Sequence, residues 1–232
     1  MNRLFSLAAI FCLSLFFSCT DVERDNPYDP GGNNYIGDGW LLSSSSVERS
    51  SSSSVERSSS SAAVTVSCDI NSYRTTVIGT QIWMAENLNC NATNSKCYNN
   101  DNTNCNKYGR LYNWATAMTV CNNGWRLPSR AEWDILVEAV GGPAVAGLHL
   151  KATSGWGSNG NGADTYGFTA LPGANCGSTM DCSGIGNFGL WWSSTENTTS
   201  NAWDLTMGFN GNGTNWNNGN KSVFRSVRCV KD

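Results

Sequence analysis

The chain has 232 residues, with 15 Lys/Arg against 18 Asp/Glu and a formal net charge of −3. From Cys68 to Asp232 the two signs balance at 11 each, and the excess of acid lies in the arm before. A neutral domain without a basic stripe excludes nucleic acid as the expected partner, and excludes charge-driven binding to an acidic membrane surface.

The first predicted element is a signal peptide, residues 1–18. Arg3 supplies a positive start, and Leu4 to Phe17 is almost wholly apolar. That run is shorter than the roughly 20 residues a helix needs to cross a bilayer, so it reads as a signal core rather than a span. Its end, Leu15-Phe16-Phe17-Ser18-Cys19, resembles a bacterial lipobox, with Phe16 where leucine is usual. Cys19 is therefore the expected lipidation site and the membrane contact. Each buried lipid CH₂ contributes about 0.8 kcal/mol, so two or three chains hold stably. The competing reading is ordinary signal-peptidase cleavage, with Cys19 a spare thiol.

Residues 19–42 form a polar arm in which Asp21, Glu23, Asp25, Asp29 and Asp38 face only Arg24. Acidic residues just after the lipidated cysteine resemble outward-sorting signals, which favours display on the cell exterior over the periplasmic side. Residues 43–61 are serine blocks around two Val-Glu-Arg repeats. Such a segment cannot bury a core and is expected to be a flexible tether, with a root-mean-square span of about 25 Å.

Residues 62–232 are the expected domain, with nine of the ten tryptophans. Thr75–Ile78, Gly79-Thr80 and Gln81–Met84 read as a hairpin. Asn87 to Asn106 reads as loop. Tyr108 to Val120 places Leu111, Trp114, Ala115 and Met118 at helical spacing. A second helix opens on the capping box Ser129-Arg130-Ala131-Glu132, carries Trp133, Leu136, Val137 and Val140, and stops at Gly141-Gly142-Pro143. Strands are expected at Phe168–Leu171, Leu190–Ser193, Trp203–Phe209, Thr214–Trp216 and Val223–Val230, with turns at Asn210-Gly211 and Asn218-Gly219. Two helices followed by an antiparallel meander predict an α+β domain.

Of ten cysteines, Cys12 lies in the signal and Cys19 takes lipid; Cys68, Cys90, Cys97, Cys105, Cys121, Cys176, Cys182 and Cys229 remain. An even set in an exported chain points to disulfides. Zinc is set aside, since the chain has no Cys-x-x-Cys and a single histidine, His149. Eight cysteines allow on the order of a hundred pairings. Local spacing favours Cys97–Cys105 and Cys176–Cys182, each closing a short polar loop.

Several phrases are specific in combination: Ile78-Gly79-Thr80-Gln81-Ile82-Trp83-Met84-Ala85-Glu86-Asn87-Leu88-Asn89, Tyr108-Gly109-Arg110-Leu111-Tyr112-Asn113-Trp114, and Gly124-Trp125-Arg126-Leu127-Pro128-Ser129 with Glu132-Trp133. Tyr166 to Gly173, Trp191 to Glu196 and Ser226 to Val230 complete them. In this order they resemble the Fibrobacter succinogenes major paralogous domain over essentially the whole domain. The arm and tether also look like secreted proteins of that group. The Arg-Leu-Pro-Ser-x-x-Glu-Trp phrase further resembles the formylglycine-generating-enzyme and C-type-lectin-like group, which implies a C-type-lectin-like fold. That fold ties the region after a helix to its last strand, so the resemblance implies Cys121–Cys229 and leaves Cys68 with Cys90. It says little of function, because the fold hosts ligand binding, adhesion and a few enzymes.

Structural roles are expected for most conspicuous side chains: Trp125, Leu127 and Trp133 in the core, Arg126 held by a carboxylate or carbonyls, Ser129 as a cap, and Trp83, Trp114 and Trp191 likewise packed. Enzymatic readings find little support. His149 has no nucleophile motif beside it, and Cys229 lacks the partner that formylglycine-generating chemistry requires. In the late loop region Glu196 and Asp204 are the only nearby carboxylates for a glycosidase reading. Calcium-binding lectins of this fold use Glu-Pro-Asn or Gln-Pro-Asp with Trp-Asn-Asp. Here Glu196-Asn197 lacks the proline and Trp203-Asp204 the asparagine, so Glu196, Asn197 and Asp204 are the candidate calcium ligands but no metal is assigned. The best binding candidate is Asn210 to Asn220, where Asn212, Asn215 and Asn217 offer donors and acceptors for sugar hydroxyls and Trp216 offers a stacking face. Against it stands a plain hairpin with Trp216 covering the core. The expectation is a non-catalytic surface lipoprotein without cofactor, binding an extracellular ligand such as polysaccharide. A structural envelope component and a carbohydrate-active enzyme are the alternatives.

Overall fold

The computed structural model describes residues 68–232. The signal peptide, Cys19, the arm and the Ser-rich linker lie outside the described residues, as do the first six residues of the expected domain. In chain order the named elements are β1 (Thr75–Ile78), β2 (Gln81–Met84), β3 (Ser95–Lys96), α1 (Asn102–Tyr108), β4 (Leu111–Tyr112), α2 (Trp114–Val120), β5 (Trp125–Arg126), α3 (Arg130–Ala139) and α4 (Ala146–Leu150). Then come β6 (Asn175–Cys176), β7 (Cys182–Ser183), β8 (Phe188–Glu196), β9 (Asn201–Gly208), β10 (Asn215–Asn220), β11 (Phe224–Arg225) and β12 (Val230–Lys231). They make three sheets, ordered β1-β2-β12-β5, β10-β9-β8 and β3-β4-β11-β6-β7, whose strand pairs are antiparallel. Mixed helix and antiparallel sheet is the α+β class that the sequence indicates.

The first hairpin forms in the expected register, Thr75↔Met84 through Ile78↔Gln81, and Gly79 turns it at φ +58°. Helix α3 opens on the expected capping box. The Ser129 hydroxyl accepts from the Glu132 amide, and the Glu132 carboxylate accepts from the Ser129 amide at 2.8 Å. Gly141 and Gly142, both at positive φ, end it.

Elsewhere the structure corrects the sequence reading. Part of the Asn-rich stretch is helical, because Asp101 accepts from the Thr103 amide and caps α1. The long helix expected over Tyr108–Val120 is two elements. Gly109 (φ +81°) ends α1, Leu111 and Tyr112 pair as β4, and a fresh cap at Asn113 opens α2. α4 is a further short helix, so the described residues hold four α-helices rather than two. Phe168–Leu171 is not a strand: it makes one bridge, Lys151↔Ala170. Buried Arg228 takes the Phe168 and Thr169 carbonyls, which removes them from any ladder. Val223–Val230 divides into β11 and β12, which belong to different sheets. Asn218-Gly219 is not a turn but mid-strand, pairing with Trp203 and Ala202. Gly219 is needed there because a Cβ would collide with the Arg225 guanidinium.

Strand β8 separates two cores, since its successive side chains point to opposite faces. Trp191 joins Trp83, Trp133, Phe168, Leu205 and Met207 on one side; Trp192 joins Met84, Tyr112, Ala202, Val227 and Cys229 on the other. Trp83 and Trp133 lie 4.7 Å apart between ring centroids, with Phe168 edge-on to both. Burial of side chains this large contributes about 1.5–3 kcal/mol each, and the aromatic geometry adds to that. Trp125 and Leu127 are buried as expected, Trp114 is half-buried, and Arg126 is held by Glu132 and Asp232.

Four disulfides join Cys68–Cys90, Cys97–Cys105, Cys121–Cys229 and Cys176–Cys182. The two short-loop pairs are those favoured by spacing, and the other two are those implied by the resemblance.

Candidate functional site

The tryptophan and asparagines proposed from sequence lie on the β9–β10 hairpin, with β10 at the sheet edge. The hairpin's far end is held firmly. Buried Lys151 donates to the Gly208 carbonyl at 3.1 Å and the Gly211 carbonyl at 2.8 Å. The Asn212 carbonyl accepts from the Leu148 amide, and the Thr214 amide donates to Pro143. Burial lowers the Lys151 pKa from the usual lysine range, but two carbonyls within hydrogen-bond reach suit an ammonium. Asn212 itself is exposed.

The structure does not bring Trp216 and the asparagines onto one face. Trp216 pairs across the ladder with Leu205, whereas Asn215 and Asn217 pair with Thr206 and Asp204. Alternation along a strand therefore sends Trp216 to one side of the sheet and the two amides to the other. On its side Trp216 is half-buried against the first core, and its indole N–H donates to Asp134 at 2.8 Å. It meets Trp203 edge-on at 6.4 Å. The Arg130 guanidinium lies over both rings, 4.1 Å from the Trp203 centroid and 5.0 Å from that of Trp216. This side is an Arg-Trp-Trp-Asp cluster, with one ring surface already occupied by a cation. On the other side Asn215 and Asn217 are exposed.

The two carboxylates weighed for catalysis sit in separate ion pairs. Glu196 is exposed and bonds Lys221 at 2.8 Å. Asp204 is fully buried against Arg225, which also stacks over Trp192, and the Thr206 hydroxyl donates to it. Burial raises the Asp204 carboxyl and lowers the Arg225 guanidinium, each opposed by the charge of the other. With Asp204 turned into the core, Glu196, Asn197 and Asp204 do not assemble a calcium cage. Among the described residues no three His, Cys, Asp or Glu side chains cluster at metal-holding distance. His149 is partly exposed, with Nδ1 2.9 Å from the Thr165 hydroxyl and its ring edge-on to Tyr166.

The sequence reading missed the polar hub of the fold. Asn87 is buried, and its Oδ1 accepts from the Trp191 indole and from Arg228 Nε, both at 2.9 Å. Its amide donates to the Tyr108 carbonyl at 2.8 Å. Arg228 is fully buried and donates further to the carbonyls of Met84, Phe168 and Thr169. No carboxylate is in direct contact with it: carbonyl dipoles and Asn87 meet its charge, burial lowers its pKa from the usual arginine range, and Asp164 and Glu86 oppose that shift from farther off. All three residues stand inside the phrases that carry the family resemblance. That was the available signal, but nothing in the sequence says that they converge.

The family model of the Fibrobacter succinogenes major domain matches residues 77–231. No curated protein and no solved structure matches the chain.

Proposed function

The chain belongs to the Fibrobacter succinogenes major domain family, and from that membership we propose a lipid-anchored surface protein that displays a non-catalytic, C-type-lectin-like domain for binding extracellular polysaccharide. The lectin-like reading of the fold is supported by the bridge from Cys121, directly after α2, to Cys229, directly before β12. Export is supported by four disulfides, which the cytosol would keep reduced, and by the apolar run ending at Cys19. The non-catalytic reading is supported by the separate ion pairs that hold Glu196 and Asp204.

The observation that carries the binding reading is the outer edge of β10. Exposed Asn212, Asn215 and Asn217 stand on a hairpin whose turn is held by Lys151, Leu148 and Pro143. Amides carried on a backbone already held in place lose less conformational entropy when they bind hydroxyls. A glycan array probed with the protein and with the double variant Asn215→Ala/Asn217→Ala tests this. Saturable binding that the variant loses is the expected result. Binding of no glycan defeats the reading, and release of shortened product makes the protein an enzyme instead. The second reading, a structural envelope component, is favoured by the Arg130–Trp203–Trp216–Asp134 cluster, in which the Trp216 indole N–H is bonded to Asp134 and the Arg130 guanidinium covers both rings.

A further inference from the structure

A cleft of about 250 Å³, sharing no lining residue with the β10 edge, lies between the segment entering β1, the segment leaving β2 and the C-terminal end of α1. Its size is just below the roughly 300–1,000 Å³ of pockets for drug-sized ligands, so any ligand it holds is smaller than those. Its walls are tied down at several points. Asn87, the hub residue, lies at its margin. Cys105 lines it and is bridged to Cys97, while Asn89 precedes Cys90, which is bridged to Cys68. Gly109 lets the end of α1 close against Asn87, since a Cβ there would come within 2.7 Å of the Asn87 Cβ.

The lining chemistry is mixed in a particular way. Arg74 Nε donates to Glu86 Oε1 at 2.6 Å, and both side chains are exposed to solvent. The second carboxylate oxygen remains an acceptor and the two amino groups of Arg74 remain donors, side by side on one ion-paired unit. Asn89 and Asn106 are exposed at the same cleft, and each amide carries both a donor and an acceptor. The Tyr73 hydroxyl accepts from the Asn89 backbone N–H at 3.0 Å, which leaves its own hydrogen to point elsewhere. Tyr73 and Tyr108 add aromatic surface.

Charge selects between ligand classes. Arg74 is neutralised by Glu86. Lys107 stands in the last turn of α1, where a cation offsets the carbonyl end of the helix, and it also lies 4.9 Å from the Tyr108 ring centroid. Arg74 and Lys107 against Glu86 leave the lining one positive charge in excess, but the Glu86 carboxylate would repel a phosphate or carboxylate placed beside it. Alternating donors and acceptors beside aromatic surface match a compound whose every polar group both donates and accepts. We infer that this cleft is a second binding site, for one uncharged sugar ring, with the Arg74–Glu86 pair bonding two neighbouring hydroxyls. It stands independently of the β10 reading.

Saturation-transfer NMR on the full chain tests it, with the methyl glycosides of glucose, xylose, galactose and mannose as probes. At least one is expected to show saturable transfer, with a dissociation constant on the order of 1 mM. Glu86→Gln and Asn106→Ala are each expected to weaken it about tenfold. Both positions are exposed, and breaking a surface ion pair costs little stability, so an unchanged melting temperature confirms that each variant is folded. Both cleft variants are compared within the Asn215→Ala/Asn217→Ala background, so that any transfer through the β10 edge is removed from the measurement. Transfer to none of the four sugars overturns the inference. So does transfer that survives both cleft variants, or that disappears only in the β10 variant.

Discussion

Removing the Cys121–Cys229 bridge should destabilise the protein more than removing any other disulfide. It closes a separation of 108 residues, against 22 for Cys68–Cys90, 8 for Cys97–Cys105 and 6 for Cys176–Cys182. The chain-entropy relation assigns about 4.8 kcal/mol to the longest loop and about 2.2 kcal/mol to the shortest. Truncation itself adds a cavity penalty: Cys229 and Cys176 are both fully buried, and Cys121 is more buried than Cys182, so that part is similar or acts in the same direction. The comparison to make is therefore Cys121→Ala/Cys229→Ala against Cys176→Ala/Cys182→Ala. The difference of about 2.6 kcal/mol corresponds to roughly 5–10 °C in melting temperature for a domain of this size. Scanning calorimetry of the two purified variants measures it. If the short-loop variant melts as low as the long-loop variant, the loss is set by local packing. The entropic argument then fails for this protein.

Two further outcomes are expected. Tyr112 is buried, with its hydroxyl accepting from the Cys90 amide at 2.7 Å and donating to the Cys90 carbonyl at 2.9 Å, and burial raises its pKa above the usual phenol range. Below about pH 10 both states keep the proton; above it only the unfolded chain loses it, so stability should fall as pH rises. Denaturant unfolding at about pH 9 and about pH 11 should show that decline in wild type and a smaller one in Tyr112→Phe. An equal decline would mean that another group governs alkaline unfolding. Cys19→Ser should move the protein from the membrane fraction to the soluble fraction; retention through a carbonate wash would remove the lipid anchor from the proposed function.

Much of the local structure was legible from residue order. The Gly79-Thr80 hairpin, the Ser129/Glu132 capping box and the Gly141-Gly142 stop are each decided by a few adjacent residues. The buried Trp83, Trp133 and Trp191 follow from hydrophobicity alone. The short disulfides follow from spacing. The expected helix across Tyr108–Val120 failed for a local reason that periodicity hides: Gly109 and Asn113 interrupt a pattern whose apolar positions continue through them.

What only tertiary structure decided depends on partners distant in the chain. Arg228 meets Asn87 across 141 residues and Phe168 across 60, and so converts an apparent strand at Phe168–Leu171 into a carbonyl cradle. Arg225 claims the space over Gly219 and turns a hairpin signal into mid-strand. The ladder between β9 and β10 then sets which face each residue of β10 presents. A run of asparagines around a tryptophan looks like one surface in sequence. A strand has a period of two, so pairing Trp216 with Leu205 sends its indole to α3 and the flanking amides to the opposite side.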